Sequence, residues 1–247
     1  MPIMRLDRLV ASQLYGVSRN DVKKLCLNKK ISVNGKLVPR SDAKVSTDDE
    51  IFVDGRRLIY KEHIYIMLNK PAGVVCSTRD GVSETVLELV PESLMREGLF
   101  PAGRLDKDTE GFVLLTDDGA LAHSMLSPKS HVVKTYELRL EKPWEESYAQ
   151  AFTSGMTIPP ERAGEQPEKC LPAEFSGSSE DRFSAVIRLR EGKYHQIKRM
   201  IAALDNKVVY LRRTAIGGLT LDPELGLGEC LEIMHKDVES LLTQKQP

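Results

Sequence analysis

The stretch from residue 103 to residue 119, GRLDKDTEGFVLLTDDG, holds more ionisable side chains than a connection between two elements requires. Its polar first half contains Asp106, and an apolar run from 112 to 115 follows and ends at the turn signal DDG. The apolar run is typical of a buried strand. Catalytic residues concentrate in loops that a rigid scaffold holds, so the Asp106 carboxylate is a candidate for chemistry such as nucleophilic attack.

Two other segments carry side chains that could act with this carboxylate. KTYEL, residues 134 to 138, contains Tyr136, and EGKYHQIKRM, residues 191 to 200, contains Lys198. Taken singly, each candidate has a simpler structural explanation. Asp106 could cap a loop, Tyr136 could lie in the core of a sheet, and Lys198 could be a solvated helix residue. Their joint occurrence in one chain favours a shared site.

Phosphoryl transfer is an alternative chemistry for the same loop, because DKDT at residues 106 to 109 matches the DxDT pattern of aspartyl-phosphate enzymes. That pattern should follow an apolar strand. Here the clear apolar run comes after it, and LFPA at residues 99 to 102 is a poor strand end. The alternative requires Mg²⁺, so metal-independent turnover would exclude it.

Together and in this order, GRLD, KTYEL and EGKYHQIKRM resemble the motifs of the pseudouridine synthases that modify ribosomal RNA. LNKPAGVVCST at 68 to 78, LLTDDG at 114 to 119 and IGGLTL at 216 to 221 agree with this, so the resemblance covers nearly the whole chain. It is greatest to the branch that modifies the small-subunit (16S) rRNA. The alternatives are a synthase acting on 23S rRNA and a non-catalytic RNA-binding or ribosome-assembly protein.

The resemblance implies roles for the three candidates. Asp106 would be the nucleophile, Tyr136 would lie against the target uracil, and Lys198 would pair with Asp106. Many relatives have Arg where this chain has Lys198, so the ion pair is kept while the bidentate geometry of a guanidinium is lost. A carboxylate that is ionised in a water-poor pocket needs such a cation, which Arg104 could also supply.

The implied reaction breaks the bond from uracil N1 to ribose C1′ and rejoins the base through C5, without net oxidation or reduction. We therefore expect no cofactor and no metal. The carboxylate could add to C1′ or to uracil C6, or assist glycal formation, and the sequence does not choose among these routes. A uridine inside folded rRNA must be flipped out to react, and Tyr136 could stack on it and help to move the C5 proton.

Further contacts to RNA are expected from polar and basic residues near these motifs and near the start of the chain. They are Arg104, Thr109, His195, Gln196, Arg199, Arg19, Lys23, Lys24, Lys29 and Lys30. We interpret His195 and Gln196 as supporting their loop or contacting RNA rather than as acid–base catalysts.

Charge along the chain is uneven although the formal net charge is only −1. Residues 1 to 47 hold ten Lys or Arg against three Asp, and residues 188 to 213 hold eight Lys or Arg against two acids. Two basic regions indicate a polyanionic partner, here rRNA, possibly within a partly assembled small subunit. Solvated basic faces are the simpler alternative for either region alone.

Composition excludes several other classes of protein. No apolar run approaches the roughly 18 residues of a membrane span, and the charged N-terminus lacks the apolar segment of a signal peptide, so we expect the cytoplasm and no membrane partner. Four widely spaced cysteines indicate neither a zinc site nor a disulfide framework. We expect a monomer, although the sequence leaves the oligomeric state open.

The fold class that we expect is α+β. Helical spacing from Leu6, a helix capped by Ser18 and a hairpin at Asn34-Gly35 resemble an S4 RNA-binding domain over residues 1–57, with an unrelated αα-ββ unit as the alternative. A linker at 58–63 would lead to the catalytic domain at 64–240, a mostly antiparallel sheet with flanking helices, and a C-terminal tail at 241–247. Strands are expected near 65–67, 113–116, 135–140, 183–189 and 208–211, a helix over 194–204 and a long irregular loop over 154–172.

Overall fold

The computed structural model describes residues 2–127, 129–160 and 166–241. The chain divides into two compact units. The first comprises Met1–Ile64 and Val90–Leu99, and the second comprises Tyr65–Leu89 and Phe100–Pro247. The expected linker belongs to the first unit, and residues 242–247 of the expected tail lie outside the described residues. In the described part of the chain, no helix has the length and apolar character needed to cross a membrane.

The first unit contains a 3₁₀-helix, Glu92–Leu94, and, among its described residues, two α-helices and six short strands. They are β1 (Ile3–Arg5), α1 (Leu6–Gln13), α2 (Arg19–Leu27), β2 (Ile31–Val33), β3 (Lys36–Leu37), β4 (Lys44–Ser46), β5 (Ile51–Val53) and β6 (Arg56–Leu58). Four strands form an antiparallel sheet in the order β3-β2-β5-β6, and β1 pairs with β4. The two helices and the hairpin are confirmed, whereas β1, β4 and β6 were not foreseen.

Local chemistry explains the two predicted features. Ser18 and Asp21 form a capping box at the start of α2, in which the Ser18 hydroxyl accepts from the Asp21 amide while the Asp21 carboxylate accepts from the Ser18 amide. Asn34 and Gly35 have φ angles of 49° and 75°, the values that a tight hairpin turn with the twist of its strands requires. Leu6, Leu9, Val22 and neighbouring apolar residues form the core beneath them.

The segment Val90–Leu99 joins the first unit through Arg96, which is only 8% exposed. Its Nε donates to the Ser12 carbonyl at 2.9 Å, and its Nη2 donates to the Lys61 carbonyl at 2.8 Å and to the Glu62 carbonyl at 3.2 Å. The first unit is therefore built from two separate stretches of chain. A deletion of residues 1–57 would remove an acceptor of Arg96, so point substitutions are the cleaner probe of this unit.

The second unit contains eleven strands and four helices among its described residues. They are β7 (Tyr65–Lys70), β8 (Phe100–Pro101), β9 (Glu110–Thr116), α3 (Gly119–Leu126), β10 (Lys134–Leu140), α4 (Ser147–Ser154), β11 (Thr157–Ile158), β12 (Glu168–Lys169), β13 (Glu174–Gly177), β14 (Ser184–Leu189), α5 (Gln196–Ala202), β15 (Val208–Ile216), β16 (Leu219–Thr220), β17 (Cys230–Glu232) and α6 (His235–Glu239).

A nine-stranded sheet organises this unit. Seven strands follow the order β13-β14-β10-β15-β9-β7-β17, while β8 pairs with β9 and β16 pairs with β15. All these ladders are antiparallel except the one between β15 and β9. At that ladder Gly111 has a φ of 101°, and an added Cβ would lie 2.2 Å from the Arg213 carbonyl oxygen, so only glycine fits there. The expected α+β fold is confirmed.

The expected strands are present, and β15 extends five residues beyond its predicted end. The prediction of a simple turn at DDG was incomplete, because Asp118 accepts from the Leu121 amide and caps the unforeseen helix α3. The expected irregular loop at 154–172 was also partly wrong. Its described residues contain the paired strands β11 and β12, and residues 161–165 lie outside the described part of the chain.

Candidate active site

Asp106 lies in the loop between β8 and β9, with its side chain 26% exposed. The two strands pair antiparallel, with Phe100 opposite Thr116 and Pro101 opposite Leu115, so both ends of the loop are fixed by the sheet. Within the loop, the Asp106 carbonyl accepts from the Thr109 amide at 3.1 Å. The predicted buried strand after the loop is confirmed, since residues 111 to 116 of β9 are buried.

Lys70, at the end of β7, forms hydrogen bonds to the backbone of the Asp106 loop. Its ammonium is fully buried and donates to the carbonyls of Pro71 at 2.9 Å, Lys107 at 3.2 Å and Thr109 at 2.8 Å. Burial lowers the pKa of Lys70, which is the expected effect of removing an ammonium from water. We had assigned Lys70 no role. The signal was present, because a lysine at the end of the apolar strand YIMLN needs a partner inside the protein.

A second support comes from the side of the loop that precedes Asp106. The amide of Leu105 donates to Cys76 Sγ at 3.3 Å, and both residues are buried. Burial raises the pKa of the Cys76 thiol, so the sulfur is held as a neutral thiol beneath the loop. The backbone on both sides of Asp106 is therefore fixed by side chains from the stretch 70–76.

Lys198, in the first turn of α5, faces the carboxylates of this loop. Its Nζ lies 3.1 Å from Asp106 Oδ2 and 2.6 Å from Asp108 Oδ1. Burial would lower the pKa of Lys198, but the bonds to Asp108 and Asp106 outweigh it and hold the pKa above the usual range. Likewise, burial would raise the pKa of Asp108, but its bond to Lys198 leaves that pKa lowered. Lys198 is thus a persistent cation shared by two carboxylates.

His195 approaches the same carboxylate from the start of α5. Its Nε2 lies 3.7 Å from Asp106 Oδ1, and its backbone has φ 46° and ψ 33°. This left-handed conformation is uncommon outside glycine, although histidine adopts it more often than most residues. It turns the chain so that the imidazole and Lys198 both reach the Asp106 loop.

Tyr136 completes the pocket from the sheet. It lies on β10 opposite Ile187 of β14 and Arg213 of β15, and it is 9% exposed. The structure places Tyr136, Asp106 and Lys198 around one pocket, whose wall also includes residues predicted to bind substrate. The pocket is lined by Arg104, Leu105, Asp106, Thr109, Tyr136, Leu189, Glu191, Gly192, Lys193, His195, Gln196, Ile197, Lys198 and Leu211.

Arg104 and Thr109 occupy different depths of this pocket. Arg104 is exposed and lines the same pocket as Asp106. Thr109 is 1% exposed, and its hydroxyl has no hydrogen-bond partner among the described residues. Buried polar groups are nearly always paired, so this hydroxyl is an exception among the residues that line the pocket.

Gln196 and Arg199, for which we expect RNA contacts, have side chains that are buried and bonded inside the protein. Gln196 Nε2 donates to Glu191 Oε1 at 2.6 Å, and its Oε1 accepts from the Lys193 amide at 2.8 Å. Arg199 donates to the Pro159 carbonyl at 2.6 Å from Nη2. Gln196 therefore supports its loop, which was the other interpretation we gave it, and Arg199 has the same role.

The basic residues predicted near the start of the chain lie in the first unit and are all exposed or half-exposed. Lys24 pairs with Asp21 at 2.9 Å, and Lys30 pairs with Asp54 at 2.8 Å. Arg19 lies 3.3 Å from the buried Asp7. Lys23 and Lys29 are exposed, and Lys29 lies just after the end of α2 with a φ of 56°. These side chains form a basic surface on and after α2.

The pocket as a whole offers a carboxylate, a cation held against it and an aromatic ring. A carboxylate of this kind can add covalently to an electrophilic carbon and leave again. A buried tyrosine beside it can stack on a planar base. Comparison with known proteins shows the family to which the chain belongs.

The sequence signature of the family described as RNA pseudouridylate synthase matches residues 64–203, and that of the S4 domain matches residues 4–51. This chain belongs to the RNA pseudouridylate synthase family. It is therefore an enzyme with an S4 domain ahead of its synthase domain. The hypotheses of an aspartyl-phosphate enzyme and of a non-catalytic RNA-binding protein are set aside by this membership.

Relatives of this family cover the whole length of the chain. It is 43% identical to the uncharacterized RNA pseudouridine synthase YtzG of Bacillus subtilis, over 96% of this chain and 98% of the relative. It is 39% identical to the ribosomal small subunit pseudouridine synthase A of Haemophilus influenzae, over 97% and 100% respectively. A crystal structure of a pseudouridylate synthase, 38% identical, superposes with a TM-score of 0.66 and covers 96% of this chain and 99% of its own.

Proposed function

We propose that this enzyme isomerises a uridine of ribosomal RNA to pseudouridine, with 16S rRNA as the favoured substrate and Asp106 as the nucleophile. The observation that carries the proposal is the ion pair of 3.1 Å between Lys198 and Asp106 in a pocket that Tyr136 also lines. The name of the Haemophilus influenzae relative, a ribosomal small subunit synthase, supports rRNA as the substrate and the small subunit as its source.

Asp106 is the group of this pocket best placed to attack. Its carboxylate would add to ribose C1′ or to uracil C6, or assist formation of a glycal. Each route starts from the same substrate and gives the same product. The bond from N1 to C1′ breaks, the uracil turns, and a bond from C5 to C1′ forms. C5 loses a proton and N1 gains one, so the product is an isomer of the substrate. Lys198 favours the ionised carboxylate that begins the sequence.

Tyr136 and two leucines would hold the flipped base. Leu189 and Leu211 line the pocket with Tyr136, and all three are at most 9% exposed. An apolar wall and an aromatic ring replace the stacking that the uracil loses when it leaves the RNA. The Tyr136 hydroxyl would help to move the proton from C5.

The basic surface of the first unit would bind the sugar–phosphate backbone of the same RNA. Exposed lysines bind phosphates largely by releasing counterions, so affinity should fall steeply with salt. Arg104 would contact a phosphate at the mouth of the pocket. We further propose that the enzyme acts as a monomer in the cytoplasm and that a partly assembled small subunit is the form of 16S rRNA it modifies.

Release of tritium from C5-labelled uridine tests the proposal. Purified wild-type enzyme should release tritium from 16S rRNA, free or in assembly intermediates, in the presence of EDTA. Release from 23S rRNA alone would overturn the substrate, and no release from either RNA would overturn the function. Undiminished release by Asp106→Ala would overturn the assigned nucleophile.

A further inference from the structure

An exposed aromatic ring lies next to the pocket but has no part in the chemistry described above. Tyr194 is 58% exposed, and its ring is stacked on that of His195, with centroids 3.9 Å apart and planes 25° apart. His195 in turn reaches to 3.7 Å from Asp106 Oδ1. Two stacked rings therefore lead from the nucleophile to the protein surface.

The loop that carries these rings is held by buried side chains. Gln196 accepts from the Lys193 amide at 2.8 Å and donates to Glu191, while Arg199 Nη1 donates to the Tyr194 carbonyl at 3.1 Å. The Arg199 guanidinium is itself fixed on the Pro159 carbonyl. The side chains that we had expected to bind RNA thus fix the backbone on both sides of the Tyr194 ring.

The backbone conformation at His195 indicates that the protein holds the stacked rings of Tyr194 and His195 in a fixed position. A φ of 46° is uncommon for a residue with a side chain, and such conformations persist where the surroundings impose them. Here the conformation accompanies the stacking of His195 on Tyr194. A ring that is placed before the ligand arrives loses little side-chain freedom on binding, so a preformed platform binds more tightly than a mobile tyrosine.

The surroundings of the platform suit a nucleic acid. Arg104 is exposed and lines the adjoining pocket, so a phosphate beside a bound base would meet positive charge. An exposed aromatic ring beside such a groove is the arrangement that binds unpaired bases by stacking, without regard to their sequence. A base that neighbours a flipped nucleotide has lost one stacking partner and is therefore the natural occupant.

We propose that the outer face of Tyr194 stacks on a base of the RNA that neighbours the target uridine. The inference rests on the proposed function, since it assumes that a uridine is flipped towards Asp106. When the uridine leaves the stack, a face of its neighbour is uncovered, and Tyr194 covers it. The ring thereby helps to bind the opened RNA but takes no part in breaking or making bonds.

Steady-state kinetics of tritium release from the RNA that the wild type modifies test this inference. Tyr194→Ala should raise KM roughly 5- to 150-fold, the range expected for loss of one base–aromatic stack, and should change kcat less than about twofold. Tyr194→Phe keeps the ring and should retain the wild-type KM. Phe183→Ala is the matched control, because Phe183 is an exposed aromatic beyond the end of β14 opposite to the pocket-lining Leu189. It should behave as wild type.

Several outcomes would overturn the platform. An unchanged KM for Tyr194→Ala would do so, and so would a fall in kcat alone, which would mean that Tyr194 only supports His195. A KM for Tyr194→Phe as high as that for Tyr194→Ala would show that the hydroxyl, rather than the ring, makes the contact. Equal melting temperatures for the variants exclude misfolding as the cause of a raised KM.

Failure of the function itself is distinguishable from failure of the platform. If the wild type releases no tritium from any rRNA, the proposed function fails before any variant is compared. If the wild type is active, 2-aminopurine placed next to the mapped uridine gives a direct reading of stacking. Its fluorescence should be quenched by the wild type and by Tyr194→Phe, and quenching that persists with Tyr194→Ala would overturn the inference.

Discussion

The cations of the basic surface on and after α2 and the cations beneath the Asp106 loop are placed in opposite ways. In the first unit, Lys24 and Lys30 have side chains 72% and 54% exposed, and their acidic partners are exposed as well. In the second unit, Lys70 is fully buried, Arg213 is 2% exposed, and both donate to backbone carbonyls. Exposed cations stay hydrated until they bind a polyanion. Buried cations already make hydrogen bonds that stabilise the fold.

This difference indicates what each basic region of the sequence does. The N-terminal region is a surface that can exchange its counterions for RNA phosphates. The second region, from 188 to 213, was expected to bind RNA in the same way, but its Arg199 and Arg213 hold backbone while Lys198 holds the carboxylates of Asp106 and Asp108. The two basic regions of the sequence therefore have different roles although their charge densities are similar.

The largest effect should come from the Asp106 carboxylate, which pairs with Lys198. Asp106→Asn keeps the shape of the side chain but removes the nucleophile, so kcat should fall on the order of 10⁴- to 10⁶-fold. The measurement is single-turnover tritium release. Asp108→Asn is the matched control, because Asp108 shares Lys198 but its side chain is 73% exposed, and it should cost far less. Equal losses of kcat in Asp106→Asn and Asp108→Asn would contradict the assignment of Asp106, rather than Asp108, as the nucleophile.

Removing the shared cation should have the next largest effect. Lys198→Met should lower kcat about 10²- to 10³-fold, the range for loss of one group that stabilises charge, while Lys198→Arg should retain most activity. Because the pKa of Lys198 is raised above its ordinary 10.5, its charge persists as the pH rises through that value, and it should not produce a loss of activity below it. Activity of Lys198→Met equal to that of wild type would contradict the ion-pair role.

The hydrogen bonds from Lys70 to the Asp106 loop should affect mainly the stability of the protein. Lys70→Met removes the ammonium that donates to the carbonyls of Pro71, Lys107 and Thr109, of which Lys107 keeps the Gly73 amide as a donor. The free energy of unfolding should therefore fall by about 1–3 kcal/mol. Chemical denaturation measures it. Lys107→Met is the control on the same loop, since the Lys107 side chain is exposed and bonds only to Ser83 Oγ among the hydrogen bonds observed. Equal stability of both variants would show that the buried ammonium does not hold the loop.

The smallest effect should come from the exposed lysines of the first unit. Lys23 and Lys29 are exposed and show no ion pair among the described residues, so replacing both by Ala should make the dependence of log K on log salt less steep by about 2. Lys24→Ala combined with Lys30→Ala should change it less, because both lysines already pair with carboxylates. A change in kcat instead of affinity would contradict the assignment of this surface to RNA backbone.

Features determined by neighbouring residues were predictable from the sequence. The capping box at Ser18 and the hairpin at Asn34-Gly35 depend on contacts within a few residues, and both are present. The strand after the Asp106 loop was predictable for the same reason, since its apolar run is unbroken. The local sequence was less informative at DDG, because the same residue types are typical of a turn and of a helix N-cap.

Features determined by long-range contacts were not predictable. Lys70 meets the Asp106 loop across 37 residues of chain, and Arg199 meets Pro159 across 40. Nothing in the local pattern distinguishes a lysine or arginine that will be buried on carbonyls from one that will face solvent. The juxtaposition of Asp106, Tyr136 and Lys198 was expected from resemblance alone, because these residues lie on a loop, a strand and a helix that only the sheet brings together.

The most direct test of the central claim is a map of pseudouridine in ribosomal RNA. Cells that lack this chain would be complemented with the wild type or with Asp106→Asn, and 16S and 23S rRNA would be compared. We expect one uridine of 16S rRNA to be pseudouridine with the wild type and to remain uridine with Asp106→Asn and without the chain. The account would be contradicted if all three maps were identical, or if Asp106→Asn restored the modification.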